Sequence, residues 1–71
     1  EAHQNKQEQA EGVGGLGIIY WTRRDLDKAE ELWKKSLRLY QEMGVMQHPG
    51  AKIVRQNLDN LAAARTTSTV P

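Results

Sequence analysis

Residues 12–17 read GVGGLG, a G-x-G-x-x-G string formed by Gly12, Gly14 and Gly17. At a strand-to-helix turn, that spacing lets backbone amides approach the pyrophosphate of a dinucleotide. The chemistry requires a buried strand immediately before the glycines. Here the preceding residues are NKQEQAE, too polar to form one. No segment of the chain alternates as a strand does, so no parallel sheet offers a crevice for the nucleotide. Neither a nucleotide nor any other cofactor is expected.

The remaining chemistry-bearing residues are scattered. His3 and His48 are the only imidazoles and lie far apart, and Cys is absent. Thiolate metal sites and disulfides are thereby excluded, and His48 reads as solvated or as capping a turn. Asp27, Glu30 and Glu31 sit on a helix rich in charge and read as solvated carboxylates rather than general acids. No nucleophile–base pair, H-E-x-x-H or phosphate loop is present, so catalysis is not expected. Ten Lys and Arg face nine Asp and Glu, for a net charge of +1. Arg23, Arg24, Lys28, Lys34, Lys35 and Arg38 concentrate positive charge, but Asp25, Asp27, Glu30 and Glu31 are interleaved with it. Glu30 with Lys34, and Glu31 with Lys35, stand at i,i+4 in the favourable order. This is a solvated helix face rather than a nucleic-acid surface. No apolar run approaches the roughly 20 residues of a membrane span, and no signal-peptide pattern appears. A soluble, cytoplasmic protein with no membrane or nucleic-acid partner is expected.

The elements that must position these residues are helices. Residues 1–9 are polar and read as a lead-in. From Ala10, the positions Ala10, Val13, Leu16, Gly17 and Tyr20 recur at spacings of three and four, which predicts one inward helix stripe. Asp25 or Asp27 can cap a second helix over about residues 26–43, which lacks Gly and Pro. Its apolar sector is wide: Ala29, Trp33, Ser36, Leu37 and Tyr40 form one stripe, with Leu32, Leu39 and Met43 beside it. A sector of that width predicts packing on two neighbours. Gly44 suits the left-handed position past the helix end, and Pro49 suits the first position of a third helix. Val54, Leu58, Leu61, Ala62 and Arg65 give that helix a narrower face. TTSTVP carries no helical signal, so residues 66–71 read as a flexible tail. The fold expected is all-α.

Val13, Leu16, Gly17 and Tyr20 are spaced as W-x2-L-G-x2-Y with Val for Trp. Ala29 and Trp33 follow as A-x3-F, with a small Ser36 three residues on. In these residues the chain resembles a tetratricopeptide repeat over residues 10–44. The match departs from the family at Gly15, where Asn is frequent. It departs again at Arg24, where the turn commonly has Gly, and at Gln41, where Pro is frequent. The stretch HPGAKIVRQNLDNLA resembles the start of a longer-period repeat, with either NLD or NLA at the L-G step. It completes neither, so residues 45–65 are expected to form a third, capping helix. The resemblance implies a piece of a longer repeat protein, with residues 1–9 as lead-in or the end of a preceding repeat. Packing physics agrees in outline: Gly17, Ala29 and Ser36 leave room for two helices to approach closely. Gly14 and Gly15 have no sequence-level account, beyond weakening the helix or admitting the backbone of a ligand.

The resemblance further implies a non-catalytic interaction or scaffold module that binds a peptide or partner protein through helix faces. At 100° per residue, Val13, Leu16 and Tyr20 point inward, while Glu11, Gly14, Ile18, Trp21 and Thr22 form the candidate partner-binding face. The family's clamp for a terminal carboxylate is not met, because these places carry Glu11, Gly14 and Ile18. The alternative is an assembly module in which the exposed faces of Ile18 and Trp21 pair with other copies, giving a homo-oligomer.

Overall fold

The computed structural model describes the backbone of residues 2–69 and the side chains of residues 6–65. Three helices follow one another: α1 (Ala2–Thr22), α2 (Leu26–Met43) and α3 (Pro49–Thr69). The fold is all-α, with α1 and α2 packed as a helix–turn–helix. The cross-helix pairs Lys6–Glu42, Ala10–Ser36 and Gly14–Trp33 make α1 and α2 antiparallel. Asp27 meets Arg65 and Tyr40 stacks on His48, so α3 runs back along α2 in turn. It lies along α2 and only brushes α1.

Local chemistry sets each boundary. Asp25 caps α2, its Oδ1 accepting from the Lys28 amide at 3.3 Å. That bond satisfies one of the donors left orphaned in the first turn. Gly44 ends α2 in the left-handed region with φ 72°. Its amide reaches the Gln41 carbonyl, and the Val45 amide reaches that of Tyr40. Helix α1 ends with the same pattern of bonds, Arg24 to Trp21 and Asp25 to Tyr20. There the left-handed residue is Arg24, with φ 68°. Both helices thus close in a Schellman-type turn, one with the preferred glycine and one with an L side chain. At the start of α3 the Gly50 amide donates to Nδ1 of His48 at 2.9 Å, so His48 does cap a turn.

The core is built on α2. Ala29, Trp33, Ser36 and Tyr40 are buried, as its wide stripe predicts. Val54 and Leu61 of α3 join Ala29 and Trp33 in one cluster. Ala10, Tyr40 and Ala51 form another, with Leu39 and Met43 packed against it. Arg65 pairs with Asp27 at 2.6 Å and Glu30 at 3.2 Å, and Glu30 with Lys34 at 3.0 Å. Glu31 and Lys35 form no ion pair among the described residues.

Helix α1 is rotated from the expected orientation. Its buried positions are Ala10, Gly14 and Gly17, with Trp21 half-buried against the core. Leu16, expected to point inward, is 47% exposed. The cause is Trp33. Its indole lies over the backbone between Gly14 and Gly17 and donates from Nε1 to the Gly14 carbonyl at 3.1 Å. A Cβ at position 17 would overlap the indole, and one at Gly14 would stand 3.4 Å from both Ser36 Oγ and Val54 Cγ2. The glycine strip receives the large aromatic ring, and the large aliphatic side chains of α1 turn elsewhere.

Three further expectations are corrected. Helix α1 begins at Ala2, so residues 2–9 continue it rather than lead into it. Helix α3 continues to Thr69, so residues 66–69 are helical and not a tail; residues 70 and 71 lie outside the described residues. Ala62, expected on the α3 stripe, is exposed, whereas Ala51, near the start of the helix, is buried.

Candidate binding groove

Because α3 packs on α2 and meets α1 only lightly, a groove runs between α1 and α3. Its volume is about 210 Å³. From α1 it is lined by Glu11, Gly14, Gly15 and Ile18, and from α3 by Gly50, Ile53, Val54 and Asn57. Tyr40 of α2 also lines it. The walls are mostly apolar or bare backbone. Ile18 and Ile53 face solvent across the opening, 45% and 56% exposed.

The glycines of this groove have different causes. A Cβ at Gly50 would overlap the Tyr40 hydroxyl, and Gly14 is in contact with Ser36 and Val54. The fold therefore excludes a side chain at Gly50, while at Gly14 a methyl group would be in close but ordinary contact. At Gly15 a Cβ meets nothing within 4 Å. An interior helix glycine costs about 0.5–1 kcal/mol relative to alanine, and nothing inside the molecule offsets it here.

The polar groups are few. Glu11 accepts from the Gln7 amide at 3.3 Å. Gln7 also reaches His48 Nε2 at 3.4 Å. Burial holds the Tyr40 phenol above its ordinary pKa, and the charge of Glu11 raises it further. Asn57 contributes an amide at the opposite wall. Nothing in this set pairs a nucleophile with a base. Among the described residues, no cluster of three or more His, Asp or Glu could hold a metal ion. The side chain of His3 lies outside those residues. None of the helices is long and apolar enough to cross a membrane, among the residues described.

Of the face expected to bind a partner, Glu11, Gly14 and Ile18 come together here. Trp21 and Thr22 do not. Trp21 turns to the core side, its ring centroid 5.7 Å from that of Trp33. Thr22 donates from its hydroxyl to the Ile19 carbonyl at 2.7 Å, closing its own helix end. Of the seven repeat-signature residues, Gly17, Ala29, Trp33 and Ser36 are buried, Val13 and Tyr20 are half-buried, and Leu16 is exposed. Sequence reasoning left out the α3 wall, although Ile53 stands in the sequence as an aliphatic residue beside the stripe of Val54. Set against protein families, curated proteins and solved structures, the chain matches none.

Proposed function

We propose that this chain is a non-catalytic interaction module of tetratricopeptide type, which binds a peptide or a partner protein in the groove between α1 and α3. The observation that carries the reading is the groove itself, apolar, open to solvent and floored by backbone. A side chain entering it would exchange water for Ile18, Ile53 and Val54, at roughly 25 cal/mol per Å² of apolar surface buried. The antiparallel α1–α2 pair, with α3 in the place of a next first helix, supports the repeat assignment. So do Gly17, Ala29, Trp33 and Ser36 at the seam of that pair. The exposed position of Leu16 is the feature that fits it least.

The test is a titration with short peptides bearing one leucine, followed through backbone amide resonances. The expected result is saturable movement confined to Gly15, Ile18, Ile53, Asn57 and their neighbours. Movement spread over unrelated surfaces, or none up to millimolar peptide, contradicts the reading.

A second reading has its own observation. Leu16 and Ile19 are each 47% exposed on the side of α1 away from α2. These residues favour assembly with another copy through that outer face, in place of the Trp21 surface expected from sequence. Sedimentation at several concentrations separates the two. Mass that rises with concentration, and falls back in Leu16→Glu, supports assembly; a monomer throughout leaves the groove reading alone.

A further inference from the structure

The charge around the groove is one-sided. Glu11 is the one charged side chain lining it. The other polar neighbours are the neutral amides of Asn57 and Gln7 and the phenol of Tyr40, which burial and Glu11 keep in its neutral form. No Lys or Arg reaches the Glu11 carboxylate among the described residues, although the chain pairs Glu30 with Lys34 and Arg65, and Glu42 with Lys6. On α3 the charges nearest in sequence, Lys52, Arg55 and Asp59, lie on another face, around a separate shallow depression. A carboxylate thus stands at the rim of an apolar slot without a counter-ion among the described residues.

Gly15 supplies an independent observation. It is the exposed groove glycine at which a Cβ would meet nothing within 4 Å, and it leaves the wall near Glu11 without a side chain. A partner's backbone can come close to α1 there, between the side chains of Glu11 and Ile18.

We infer that the groove takes one apolar side chain from an extended segment whose neighbouring residue is Lys or Arg, the chain backbone passing over Gly15 and the cation pairing with Glu11. The inference rests on the groove being the partner site. It adds the occupant's chemistry: an apolar anchor beside a positive charge, with an acidic neighbour disfavoured. Like-charge repulsion at Glu11 works against the acidic sequence, which is how a single rim charge selects among apolar segments.

The experiment compares three peptides of one design, a single leucine flanked by lysine, glutamine or glutamate, titrated against the whole chain by amide resonance shifts. An exposed pair contributes modestly, so the lysine peptide should bind about two- to fivefold more tightly than the glutamine peptide, with glutamate weakest. Added salt should shrink the preference. Glu11 is exposed, so Glu11→Gln keeps the fold, and in it the three affinities should converge. Groove binding that ignores the flanking charge, or a preference that survives Glu11→Gln, overturns the inference while leaving the groove as a partner site. If none of the peptides moves the groove resonances, the site reading fails and takes the inference with it. Groove resonances that move with protein concentration alone give the slot to a second copy and overturn the inference as well.

Discussion

Two glycines two positions apart, Gly15 and Gly17, have opposite roles. At Gly17 a methyl group would meet the Trp33 indole, and displacing that ring also breaks its bond to the Gly14 carbonyl. Overpacking of this kind costs about 1–3 kcal/mol, more than the helix gains from alanine. At Gly15 the methyl enters open space and the gain of about 0.5–1 kcal/mol stands alone. Thermal melts should therefore place Gly17→Ala below the parent chain and Gly15→Ala above it. Equal shifts would mean that Trp33 does not lie on the glycine strip. Arg24 offers a parallel case. Its φ of 68° is costly for an L residue, and Gly44 shows what the same turn prefers. Arg24→Gly should raise stability by about 0.5–1 kcal/mol, whereas Gly44→Ala should lower it by a similar amount or more. Tyr40 gives a pH dependence. Its phenol is held above the ordinary value by burial first and by Glu11 second, so the folded state favours the neutral form. That contribution is fully present below the unfolded pKa of about 10 and is lost as pH rises through the higher folded value. Tyrosinate absorbance in a Tyr20→Phe background should show Tyr40 ionising late, and Glu11→Gln should bring the transition down.

At the level of elements, what was legible depended on side-chain size. Helix α2 carries its buried face in large residues at helical spacing, and Trp33, Tyr40 and Ala29 fall where the pattern puts them. Helix α1 hides its buried face in Ala10, Gly14 and Gly17, which periodicity weighs lightly. Leu16 outweighs them in a periodicity pattern, which points the helix away from its observed orientation. Trp21 was misplaced for the same reason. The α1 wall of the groove was still legible in Glu11, Gly14 and Ile18, because that face borders the glycine strip. The α3 wall was not, since nothing in HPGAKIVRQN says which side of α2 the helix will take. Its start is held by His48, whose Nδ1 accepts the Gly50 amide while the ring stacks on Tyr40, with centroids 5.2 Å apart. His48→Ala removes a cap of the kind that contributes about 1 kcal/mol, along with the stack. Amide exchange should accelerate at the first turn of α3 more than at its middle. Uniform acceleration along α3 would show that the cap is not what anchors it.

At the scale of the whole molecule, the three helices do not close on one another. Helix α2 is covered on two sides, while α1 and α3 stay apart and leave the groove open between them. Leu16 and Ile19 are also exposed, on the outer side of α1. Burial on α2 thus accounts for the fold, and the apolar surface left over accounts for the interactions proposed. The Gly15 gap separates these two roles, because filling it changes the groove without touching the core. Gly12 provides the control: a Cβ there also meets nothing within 4 Å, yet Gly12 does not line the groove. The most direct measurement is peptide affinity in Gly15→Leu beside Gly12→Leu, with melting curves recorded for both. If the groove is the partner site, both variants stay folded, Gly12→Leu binds as the parent does, and Gly15→Leu loses binding by tenfold or more. Undiminished binding in a folded Gly15→Leu would place the partner on another face and contradict the proposal.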